Sequence, residues 1–204
     1  MSRNAWLCAC VLLAGGVAAV SGQDAGAAAS AVLDARLVHL PGTTTTVELP
    51  AGWILANPVD GAQVVLEGPP EHAMPLGEAL ASRPMIAISI TALAATDTAL
   101  GLAQQARRQC ERLLSHFTVL SGNESVRTFT GRDWQYLHYT FELAQQSCNQ
   151  ELYVSTSPGI ALYVVCSCAP SRAGSYQEVF GRTLASMGGG SGTPLLAQPL
   201  PAAR

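Results

Sequence analysis

The 204-residue chain is 49% hydrophobic and only 12% charged, its 11 basic residues are all arginine, and its formal net charge is −3. The charged fraction is about half the usual figure of roughly 25%. With a mean hydropathy of +0.24, the chain has enough apolar surface to argue against disorder throughout. No basic run exceeds Arg107-Arg108, which argues against a nucleic-acid or anionic-membrane partner.

The first residues read as an export signal: Arg3 precedes an apolar run from Trp6 to Val20, and small residues follow at Ser21-Gly22. That run is shorter than the ~20 residues a bilayer span requires, so residues 1–22 are assigned to a cleaved signal. The product is then periplasmic or extracellular, with no stable membrane span. An early Cys10 leaves open a lipoprotein tethered through that residue. Residues 23–35 are an Ala-rich leader, and 188–204 a Gly/Pro-rich tail with little to bury. A single domain over 36–187 remains, near the commonest domain size.

Within it, Thr44–Leu49 reads as a strand stopped by Pro50-Ala51-Gly52, and Gln63–Glu67 as a second. Residues 71–84 form a long connection with one helical turn near Leu76–Ala81. Met85–Thr91 alternates, placing Ile86, Ile88 and Ile90 on one face. Asp97 is a candidate N-cap for a helix reaching about Phe117, with Leu100, Ala103, Cys110, Leu114 and Phe117 as its stripe. Strands follow at Ser125–Thr130, Trp134–Leu143, Glu151–Ser155 and Ile160–Cys168, the last pair joined by Pro158-Gly159. Ile160–Val165 is apolar at every position, as in a central strand covered on both sides. Ser175 and Glu178 form a capping box for a final helix with Tyr176, Val179, Phe180, Leu184 and Met187 inward. The order predicts an α+β fold, an antiparallel sheet flanked by helices.

Val47–Trp53, with its Leu49-Pro50-Ala51-Gly52-Trp53 turn, resembles the opening of the Mog/PsbP-like proteins, especially bacterial DcrB-type and LpqN-type envelope members. Gly131-Arg132 entering an aromatic strand, the run Ala161–Ala169 and the helix ending Leu184–Met187 agree with it. The resemblance implies an α-β-α sandwich used for binding, without catalysis. Its partner would be an envelope protein. No functional residue transfers with it.

Four cysteines follow the signal: Cys110, Cys148, Cys166 and Cys168. In an exported chain an even count favours disulfides. Cys166 and Cys168 are too close along one strand to bridge comfortably. A two-residue loop at Pro158-Gly159 sets Cys148 opposite Ala169 and next to Cys168, so Cys148–Cys168 with Cys110–Cys166 is the expected pairing; the swapped pairing is the alternative. A zinc site from Cys148, Cys166, Cys168 and His138 is disfavoured because no Cys-x-x-Cys occurs. No cofactor is expected.

No nucleophile elbow, phosphate loop or dinucleotide fingerprint is present. The reading is therefore a non-catalytic module. An envelope enzyme built around His72 or His138 near a carboxylate is the alternative. Trp134, Tyr136 and His138 share one strand face, as either a binding face or core under the last helix.

Overall fold

The structure is a computed structural model describing residues 37–57, 61–70 and 83–187. The signal, the leader, the turn near Leu76–Ala81, the tail, Cys10 and His72 lie outside the described residues. A small hairpin, β1 (Leu37–His39) and β2 (Thr46–Glu48), precedes β3 (Ile54–Ala56), β4 (Val64–Glu67) and β5 (Met85–Ala92). Helix α1 (Ala99–Leu113) leads to β6 (Ser115–Phe129), β7 (Arg132–Leu143), β8 (Gln146–Ser157) and β9 (Ile160–Cys168). A 3₁₀ turn at Pro170–Arg172 opens into α2 (Ala173–Ser186).

β3 to β9 form one antiparallel sheet in the order β3-β4-β5-β9-β8-β7-β6. β9 is central, and Ala161 to Cys168 are all buried, as its continuous apolar run requires. Alternation divides the core. Leu137, Tyr139, Phe141, Leu152, Val154 and Val165 face α1, packing against Leu102, Ala106 and Cys110. Trp134, Tyr136, Tyr153, Ile86, Ile88 and Val164 face the opposite way, against Phe180, Leu184 and Met187 of α2. Trp53, brought round by the Pro50–Gly52 turn, meets Tyr176 and Phe180 edge-on at 6.3 and 6.5 Å. The hairpin is tied to α2 as well, since the Glu48 N–H donates to Ser186 Oγ at 2.9 Å.

Three expected helix boundaries move, and β6 and β8 begin earlier than expected, at Ser115 and Gln146. The N-cap of α1 is Thr98, whose hydroxyl accepts from the Gly101 N–H at 3.1 Å; Asp97 instead caps the preceding turn through the Ala94 N–H. The helix stops at Leu113, because Phe117, Thr118 and Val119 favour an extended backbone and join β6. Its buried residues are Leu102, Ala106, Gln109 and Cys110, while Leu100 is exposed, so the stripe keeps Cys110 but is rotated at its N-terminal end from the expected one. α2 starts two residues before Ser175 and has no side-chain cap. β6 is the bulged edge strand. At Gly122 φ is +90°, and a Cβ would stand 2.5 Å from the Tyr136 carbonyl oxygen, so only glycine fits.

Candidate functional site

The α2-facing side of β7, β8 and β9 gathers the chemistry-bearing groups. His138 lies opposite Glu151 and Glu151 opposite Cys166; Tyr136 lies opposite Tyr153; Asn149 lies opposite Cys168. Same-face residues repeat every second position, so these rows stack into one polar seam within an aromatic wall. The expected trio is thus brought together, but under cover: Trp134 is 0% and Tyr136 4% exposed, and His138 is half-buried. Trp134 and Tyr153 meet edge-on at 6.5 Å, and Tyr136 and Tyr153 lie 5.0 Å apart, tilted. Arg127 stacks on the Tyr136 ring at 3.8 Å.

Glu151 is the centre of the seam and is itself buried. Its Oε2 accepts from the Tyr153 hydroxyl at 2.6 Å and its Oε1 from the Tyr136 hydroxyl at 3.4 Å. Buried carboxylates require such donors. Burial first, then the charge of Glu151, pushes the Tyr136 hydroxyl above its ordinary range. For Tyr153 burial leads again, then Cys166 and Glu151. Cys166 is raised well above a free thiol by burial, then by Glu151 and Cys168. Phenols and thiol stay protonated at neutral pH, so the thiol is not a nucleophile there. His138 Nε2 sits 2.7 Å from Asn149 Oδ1, and Asn149 Nδ2 donates to Cys168 Sγ at 3.7 Å. Among the described residues no three His, Cys, Asp or Glu side chains are placed to hold a metal ion.

All four cysteines after residue 100 are buried and none is disulfide-bonded; the expected bridges Cys110–Cys166 and Cys148–Cys168 are not formed. The register itself is the expected one, Asn149 pairing with Cys168. That register explains the difference. Cys148, one residue before Asn149, points to the other face and joins Cys110 in the α1-side core, while Cys166 and Cys168 belong to the α2 side. Both cross-pairings would have to pass through the sheet. Cys110 and Cys148 alone are on the same side and on different elements. Burial pushes the Cys148 thiol up to about 11.

Sequence reasoning missed Glu151, Tyr153 and Asn149 as members of the seam. The turn that sets their register is Ala144-Gln145, with φ of +49° and +63°. Such hairpin turns are ordinarily marked by Asn or Gly, and neither marks it here.

No family model matches the sequence, and no curated protein matches it. Solved structures do. LpqN of Mycobacterium tuberculosis, involved in cell envelope biogenesis, is 17% identical over 72% of this chain and 86% of that one, with a TM-score of 0.53. The cyanobacterial PsbP protein (CyanoP) of Synechocystis sp. PCC 6803 is 15% identical over 79% of this chain and 96% of that one, with a TM-score of 0.51. A protein of Bacteroides thetaiotaomicron VPI-5482 is 14% identical over 75% of this chain and 47% of that one, also at 0.51. The fold is the Mog/PsbP-like α+β sandwich.

Proposed function

We propose that the chain is an exported binding module of the cell envelope, acting by association and without chemistry of its own. The observation that carries this is the state of Glu151, the one buried carboxylate among the described residues. Both Glu151 oxygens are engaged by tyrosine hydroxyls inside the core, and the half-buried His138 is held against Asn149. A general base has to reach a substrate proton; Glu151 is buried and its oxygens are already engaged. The N-terminal pattern of one Arg before a 15-residue apolar run supports export. The likeness in fold to LpqN, a protein of cell envelope biogenesis, supports the compartment.

Fractionation of the source cells with mass spectrometry of the protein's N-terminus tests the reading. The expected result is a chain beginning between about residues 21 and 30 in the periplasmic or extracellular fraction. Intact Met1 in a cytosolic fraction would overturn export. Acyl groups on Cys10 in the same spectra would replace the cleaved form with a tethered one.

A further inference from the structure

The α1-side core holds one pair of cysteines that the fold brings together, Cys110 in the last turn of α1 and Cys148 near the start of β8, each 1% exposed. Cys110 Sγ lies 3.8 Å from the Tyr139 hydroxyl, which itself donates to Gln150 Oε1 at 2.8 Å. The helix sulfur therefore stands over β8 near Gln150. On that strand Cys148 is the next residue of the same face, one two-residue step of about 7 Å away. The chain leaving the helix draws the same turn down onto the sheet. Ser115 pairs with Glu142, and Glu142 with Ser147, the residue before Cys148. The end of α1 and the start of β8 thus meet at one level of the sheet.

Both sulfurs can turn toward each other at small cost. The Cys110 contact with Tyr139, and the 3.9 Å contact of Cys148 Sγ with the Gln146 carbonyl, are long contacts of a weak donor. Little is lost when either side chain moves to another staggered position. The other two cysteines lack this opportunity. Cys166 and Cys168 lie on the α2 side, two residues apart on one extended strand, where a bridge is strained. The sheet itself separates them from Cys110 and Cys148.

We propose that Cys110 and Cys148 form the single disulfide of this domain when the chain folds in an oxidising compartment, a staple from the end of α1 to β8 that encloses β6 and β7. The structure holds the dithiol form, the form that a reductant preserves. Closure consumes one external disulfide of the glutathione type. The thiolate of one cysteine attacks a sulfur of the oxidant and expels one thiolate, and the second cysteine then displaces the other. The two protein sulfurs give up two electrons, and both protons leave on the two thiols released. Burial pushes the Cys148 thiol up to about 11, so the folded dithiol reacts slowly. The exchange therefore belongs to folding, before α1 closes over the sheet. The proposal rests on the reading of the chain as exported, since such bridges persist in oxidising compartments. Its test uses purified protein and so fails independently of the fractionation experiment.

The test is to unfold the full chain in reductant and refold it in a buffer of reduced and oxidised glutathione. Remaining thiols are alkylated after denaturation. Cleavage at arginine and tyrosine then puts Cys110, Cys148 and the Cys166–Cys168 pair on separate peptides. The expected product is one peptide pair joined through Cys110 and Cys148, with Cys166 and Cys168 alkylated. The bridged protein should melt about 5–10 °C above the same protein in reductant. Cys148→Ala should abolish that difference and leave Cys110 alkylated, whereas Cys166→Ala with Cys168→Ala should keep the bridge. The peptide map needs no variant, so the test stays decisive if Cys148→Ala does not fold. Alkylation of both Cys110 and Cys148 in the refolded chain, a bridge from either to any other cysteine, or equal melting temperatures of the bridged and reduced protein would each overturn the proposal.

Discussion

The two faces of the sheet solve the burial of polar side chains differently. Toward α1, the Tyr139 hydroxyl donates to Gln150 Oε1 and Gln150 Nε2 to Ser167 Oγ, each at 2.8 Å. These three residues are direct partners across β7, β8 and β9, so register alone satisfies a neutral ladder. Toward α2, the residue next to Gln150 on β8 is Glu151, a carboxylate, and it draws hydroxyls from two different strands. A neutral ladder is closed by its own neighbours. A carboxylate also shifts them: burial first, and then the charge of Glu151 among its neighbours, makes the thiol and phenols around it hold their protons more tightly.

The harshest way to probe the comparison is to empty either face. Phe180, 1% exposed on the α2 side, should cost about 3–5 kcal/mol on truncation to alanine. Leu102→Ala on the α1 side, 8% exposed, should cost about 2–5 kcal/mol. Urea denaturation measures both, and a negligible loss at Phe180 would mean that α2 does not seal its face. A finer probe removes one hydroxyl from each network. Tyr153→Phe deletes a bond to a carboxylate and should cost about 1.5–3 kcal/mol, whereas Tyr139→Phe deletes a neutral bond and should cost about 0.5–1.5 kcal/mol. Equal losses would show that the two faces do not differ in charge.

The smallest effect is confined to alkaline pH. The Cys148 thiol is held up to about 11 against 9.0 when free. The folded state keeps a proton that the unfolded chain has released, so this contribution is complete below pH 9 and is lost as pH rises toward 11. Cys148→Ala should flatten that part of the stability profile and leave its slope near pH 7 unchanged. Denaturation curves collected from pH 7 to 11 would show it, and an unaltered alkaline limb would refute it.

Much of this architecture is legible before any coordinates. β9 follows from an apolar run bounded by Pro158-Gly159, the faces of β7 follow from alternation, and the stripe of α2 follows from helical spacing. The first half of β6 does not, because Leu114 and Phe117 continue the helical spacing of α1 while their neighbours favour a strand, and tertiary pairing decides. The cysteines carry a sharper lesson. The expected register was the observed one, but in a pleated sheet a residue one place from the opposite position lies on the opposite face, so nearness along the ladder was not nearness of sulfur. The seam itself stayed hidden because a turn without Asn or Gly sets β8 against β7.

The central position of β9 has a consequence for the order in which the sheet is completed. β6 to β9 are consecutive and each pairs with the next, so this meander closes through short turns and assembles fast. β5 must instead wait for β9, because Ala92 pairs with Ile160 and Met85 with Ser167. During synthesis β3, β4 and β5 therefore emerge as a three-stranded fragment whose β5 edge is apolar and unpaired. Exposed edges of that kind invite pairing with other chains. The strand that makes the finished core continuous is the last one of the sheet to leave the ribosome, and until it arrives the N-terminal half depends on something else to shield it.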